Sequence, residues 1–190
     1  MPAWVRLGGR TELASGDVVV WSVADGRLGR RWRESTSRGG SIVRTILVET
    51  GPAGGIGRLE IATDAGLLTI HPDGPETRLH GNVVSPNGMR HLELSWGPGR
   101  AILVDGSPAL TAIALGSVGH EVEPGQGRRI PTVRIDHRLV PVAAELKLSR
   151  VDDRSWQLAG SAFGPAAIVA SLDDNGLLEL PARTVWPLER

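Results

Sequence analysis

Two histidines, an asparagine and a glutamate cluster around one glycine turn: His80, Asn82, His91 and Glu93 flank Asn87-Gly88. Asx-Gly between apolar runs is the strongest short-range hairpin signal, because a type I′ turn needs positive φ at both central positions. A two-residue turn there sets Pro86 opposite Met89, Val84 opposite His91, Asn82 opposite Glu93 and His80 opposite Ser95. Alternation then places His80, Asn82, His91, Glu93 and Ser95 on one face and Leu79, Gly81, Val83, Leu92, Leu94 and Trp96 on the other. The apolar face belongs to a core. The polar face can be a solvated surface, as one side of an antiparallel sheet commonly is. It can line a pocket, where imidazoles with an ordinary pKa of about 6.5 donate to or accept from a ligand head group. His80, His91 and Glu93 also have the donor types of a metal site, but many non-metal arrangements share their spacing and no metal is expected.

Other chemistry-bearing patterns are few. Trp32 shares a face with Arg30 and Glu34, opposite Arg31 and Arg33. An indole beside arginine binds a sugar ring or an anionic head group, or packs beneath the arginine stem. His137 falls on the apolar parity of Val133, Ile135 and Leu139, which reads as a core or pocket position. The pairs Asp152-Asp153 and Asp173-Asp174 read as turn residues. There is no G-x-S-x-G elbow, P-loop, HExxH or dinucleotide fingerprint. With Cys 0, disulfides, thiolate catalysis and zinc-thiolate sites are excluded. Lys+Arg 21 against Asp+Glu 21 leaves no net charge to recruit nucleic acid or an anionic membrane. Lys147 is the sole lysine, so the basic residues are overwhelmingly arginine, a compositional bias scattered along the chain.

The elements that must position these groups read as short strands. Gly 25 and Pro 13 punctuate the 190 residues at intervals, with no linker, so a single domain over 1–190 is expected. Five Asx-Gly dipeptides, at Asp25, Asp73, Asn87, Asp105 and Asn175, separate apolar-rich runs, and at least four are expected as hairpin tips. Strands are predicted from Val18 through Trp186, among them 28–35, 41–50, 58–63, 67–71, 77–84, 89–96, 110–115, 128–139, 166–172, 177–180 and 183–186. Pro141 to Val151 competes as a helix, but its alternating Leu146 and Leu148 favour a strand. The sum is about fifteen antiparallel strands with very little helix, an all-β fold curled into a roll or incomplete barrel. Arg58–Leu68 and Ala167–Leu178 share a strand, polar turn and paired leucines, which turn chemistry alone generates. No stretch approaches the roughly 18 apolar residues of a spanning helix, and the N-terminus lacks a leader pattern, so a cytoplasmic protein without membrane insertion is expected.

The C-terminal third carries a family pattern. Leu148-Ser149-Arg150-Val151-Asp152-Asp153-Arg154-Ser155-Trp156-Gln157-Leu158, then Phe163 to Leu172, then Asp173-Asp174-Asn175-Gly176-Leu177-Leu178-Glu179-Leu180 and Trp186 resembles the closing strands of the glycolipid-binding β-roll superfamily. The resemblance implies a many-stranded spiral roll, similar in shape to bacterial lipoprotein carriers, whose cavity takes lipid-like molecules without chemistry or cofactor. The family's central Pro-Phe-Thr-Asn-Thr stretch falls near Ser107 to Leu115, where Pro108 and one threonine, Thr111, remain. The expected function is therefore binding of a small amphiphilic molecule in the concave interior of the roll. Trp32 and Trp96 are its expected apolar walls, Arg44, His80 and His91 its head-group contacts, and Asn82 and Glu93 its orienting groups. Two alternatives stay open: an enzyme using Glu93 with His80 or His91 as an acid–base pair, and an interaction module whose sheet edges pair in a homodimer.

Overall fold

A computed structural model describes residues 5–52, 54–73 and 78–189. It is mostly β: fourteen strands are present among the described residues, one fewer than the sequence suggests. They form two sheets within two compact units. One unit comprises the chain through Trp96 together with the segment from Leu180 onward, and the other is Gly97–Glu179.

The first unit holds a nine-stranded antiparallel sheet. Its strands are β1 (Arg6–Glu12), β2 (Val18–Gly26), β3 (Gly29–Arg38), β4 (Ser41–Thr50), β5 (Ile56–Thr63), β6 (Gly66–Asp73), β7 (Arg78–Ser85) and β8 (Gly88–Ser95). They follow one another as a meander, and β14 (Thr184–Pro187) pairs beyond β1. Successive side chains of a strand point to opposite faces, so cross-strand partners build rows. One row runs Val23, Trp32, Val48, Leu59, Ile70, Gly81, Leu92, and every member is buried. Complete burial of a side chain such as Leu59 or Ile70 contributes about 1.5–3 kcal/mol, which fixes the face each strand presents.

The turns differ from the sequence expectation in a consistent way. The tips are Arg27-Leu28, Asp64-Ala65 and Pro86-Asn87, each followed by a glycine that opens the next strand: Gly29, Gly66 and Gly88. The glycine takes the positive φ just after the tip, at +138° in Gly66, instead of sitting within it. Asp25-Gly26 instead closes β2, and Asp105-Gly106 precedes a helix. Asn175-Gly176 does lie in a turn, capped by the Asp173 carboxylate, while Gly74 lies outside the described residues.

β1 escapes the sequence reading because Gly8-Gly9 weakens its strand signature. Those glycines make room for indoles: a Cβ on Gly9 would lie 2.0 Å from the Trp21 ring, and one on Gly8 would lie 2.7 Å from the Trp186 nitrogen.

The second unit carries a curled five-stranded half-barrel sheet of β9 (Ala101–Val104), β10 (Gly127–Ile135), β11 (Pro141–Arg150), β12 (Ser155–Gly160) and β13 (Gly164–Ser171). β9 pairs with β10 in parallel, the one departure from antiparallel pairing among the described strands. Pro141–Arg150 is a strand, as its leucine alternation indicates. Leu177 to Leu180 contributes only a bridge between Leu172 and Leu178.

The expected strand at Leu110–Leu115 is instead a helix, α1 (Pro108–Val118). Ser107 caps it, its hydroxyl accepting from the Leu110 amide at 3.2 Å, and Pro108 supplies a preset φ in the first turn. Residues 108–115 are all buried, so the helix is apolar on every side and shows no 3.6-residue period. His137 is also corrected: β10 ends at Ile135, and His137 is exposed in the turn beyond it.

Candidate functional site

The β7–β8 hairpin keeps its predicted faces but not its predicted register. With Pro86-Asn87 at the tip, Asn82 pairs with His91, His80 with Glu93 and Arg78 with Ser95. Proline presets φ for the first central position of a type I turn, and Ser85 secures the tip by accepting from the Asn87 amide and donating to the Gly88 carbonyl. The slip is two residues, and an even slip leaves every side chain on its face.

β6 completes the arrangement. His71 stands directly opposite His80, and Thr69 opposite Asn82. His71, Asp73, His80, Asn82, His91 and Glu93 thereby line an open groove of about 570 Å³, within the size range of small-molecule sites. His71 and Asp73 are the members that sequence reasoning missed. The alternation of Leu68, Ile70 and Pro72 against Thr69, His71 and Asp73 is the signal that could have found them.

The groove is partly self-satisfied. His80 Nε2 lies 2.7 Å from Asp73 Oδ2, and Glu93 pairs with Arg78. Both pairs are solvent-exposed and contribute little to stability. Asn82 differs: its Oδ1 is buried and accepts no hydrogen bond among the described residues. Such an acceptor carries a desolvation cost of about 1–3 kcal/mol that a donor would recover. No group of three His, Asp or Glu side chains is set to hold a metal ion among the described residues.

An apolar strip adjoins the groove on the same face. Leu67, Val84 and Met89 are direct partners across β6, β7 and β8, two residues along each strand from Thr69, Asn82 and His91. They are 43%, 49% and 61% exposed, so three neighbouring strands offer uncovered hydrocarbon beside polar groups.

The other expected site residues lie elsewhere. Trp32 is buried in the core row, with the Arg30 guanidinium over its ring at 5.7 Å, which matches packing beneath an arginine stem. Arg44 belongs to the same buried face, its Nη2 donating to Glu34 Oε1 at 3.2 Å and to Thr36 Oγ1 at 3.1 Å. Trp96 is half-buried just past β8 and does not line the groove. Trp32 and Arg44 are therefore on the opposite face of the sheet from the histidines. The polar strip itself looks outward and not into a concave interior, because the opposite face is the buried one, filled by side chains such as Leu68, Val83 and Leu92.

No family model matches the chain, and no curated protein matches it. Among solved structures it is similar to a DUF1089 family protein from Pseudomonas aeruginosa, at 14% identity and a TM-score of 0.56, over 94% of this chain and 90% of that one. At that identity the likeness concerns the fold. It extends across both sheets. No helix among the described residues is long and apolar enough to cross a membrane.

Proposed function

We propose that this protein binds a small amphiphilic molecule, with its hydroxyl-bearing head group in the outward groove of β6, β7 and β8. The observation that carries this reading is the buried Asn82 Oδ1, without a partner among the described residues, set among imidazoles and carboxylates immediately beside the exposed Leu67–Val84–Met89 row. A ligand hydroxyl donates to Asn82 Oδ1 once that side chain turns into the groove, and can donate to Asp73 or Glu93 while accepting from a histidine N–H. Two carboxylates in the lining disfavour a phosphate or sulfate head. The resemblance of the C-terminal third to glycolipid-binding β-rolls agrees with a sugar-like head group.

Native mass spectrometry of the purified chain, followed by denaturing extraction, tests the proposal. An added mass lost on denaturation, and absent from an Asn82→Val variant, is the expected result. If that mass persists in Asn82→Val, the ligand sits elsewhere. A bare chain that also fails to bind octyl maltoside in calorimetric titration overturns the reading.

A further inference from the structure

We infer that the ligand has a single hydrocarbon tail of medium length, about six to eight carbons by strand geometry, lying on the outward Leu67–Val84–Met89 row. This rests on the head-group reading above and adds the part of the ligand that the polar groove cannot hold. Val84 follows Asn82 by two residues on β7, a step of about 7 Å along the strand. From Val84 the row extends one strand to either side, another 5 Å or so, to Leu67 or Met89.

The hydrocarbon surface then ends in every direction. Past Val84 the chain turns through Ser85, Pro86 and Asn87, and past Leu67 through Gly66 and Asp64. Beyond Met89 the sheet stops, because β8 is its edge strand. Beyond Leu67 the row continues into Ala62 and then Thr45, a small side chain followed by a hydroxyl. The two steps are perpendicular, so the straight line from Asn82 to the margin of the patch is about 8.5 Å, and an extended alkyl chain advances about 1.3 Å per carbon given bonds of about 1.5 Å. Roughly seven carbons cover it. The row carries no charge, so nothing on it opposes an alkyl chain.

A calorimetric titration of the whole protein with n-alkyl β-maltosides of about four to twelve carbons, each below its micellar concentration, reads this directly. Affinity is expected to rise about twofold per methylene up to about six to eight carbons, about half the free energy of complete burial because one side of the tail stays in water. It should then level off. Val84→Thr and Leu67→Thr, both exposed positions where a threonine keeps the strand, are expected to flatten the rise, lowering the octyl affinity more than the butyl affinity. Equal wild-type affinity for all chain lengths overturns the tail and leaves the head-group reading standing. A rise continuing through twelve carbons overturns the length limit. Unchanged slopes in both threonine variants overturn the location. Failure of every maltoside to bind overturns the head-group reading, and this inference with it.

Discussion

Asn82 on β7 and His91 on β8 are direct cross-strand partners, and the Asn82 Oδ1 beside this pairing is buried with no donor among the described residues. Its neighbour two residues away is different: His80 is already held by Asp73 at 2.7 Å. The groove thus combines a fixed imidazole with an unsatisfied acceptor, an arrangement that costs stability and suits a ligand.

Replacing the acceptor should separate those two effects. Asn82→Val removes a buried oxygen that accepts from no described residue and puts a strand-favouring side chain in its place. Stability in urea denaturation is expected to hold or to rise by about 1 kcal/mol, while affinity for octyl maltoside falls at least tenfold. A clear loss of stability would mean that Asn82 is a structural residue.

The Glu34–Arg44 pair makes the opposite prediction. Its side chains are 1% and 13% exposed, within the buried face of the first sheet. Arg44→Leu leaves the Glu34 carboxylate buried without its cation and should cost about 3–5 kcal/mol. The double variant Glu34→Leu/Arg44→Leu should recover most of that loss, since replacing both charges by apolar groups is often neutral. Chemical denaturation of the three variants and the parent completes the cycle.

Acid sensitivity should trace in part to Asp17. Arg38 holds this carboxylate through two hydrogen bonds of 2.8 Å and keeps its pKa below the ordinary 3.8. A depressed carboxyl pKa contributes stability that is complete above the unfolded value and is lost as pH falls through the folded value. The stability gap between the parent and Asp17→Asn is therefore expected to be constant near neutrality and to shrink below about pH 4. Denaturation midpoints from pH 7 down to pH 3 would show it, and a gap independent of pH would exclude the ion pair as its source.

Two glycines should divide the costs of turn geometry. Gly16 has φ +81°, and a Cβ placed there would meet nothing within 4 Å, so Gly16→Ala should cost only the conformational penalty of about 1–2 kcal/mol. Gly66 has φ +138°, and its Cβ would fall 2.1 Å from the Val84 carbonyl oxygen. Gly66→Ala must therefore also push β6 and β7 apart, and thermal unfolding should place it well below Gly16→Ala.

The hairpin that carries the groove shows what can be read locally. The Asn87-Gly88 signal misplaces its tip, yet His80, Asn82, His91 and Glu93 share a face all the same. Strand alternation has a period of two, so an error of two residues alters the partners and preserves the faces. The α1 helix shows the converse. Ser107-Pro108 and three alanines in the run favour a helix, but burial on all sides erases the period that would announce it.

The all-β character, the strand faces around the groove and the absence of thiol chemistry are legible in the chain of residues alone, because they follow from local alternation and residue type. Which strands become neighbours is a property of the folded molecule. Folding brings His71 and Asp73 to His80 through the β6–β7 pairing, lines up Leu67, Val84 and Met89 across three strands, and puts Trp32 and Arg44 on the opposite, buried face. Cross-strand grouping depends on the order of strands and on turn conformations that set register, and side chains far apart in the chain carry no local mark of either.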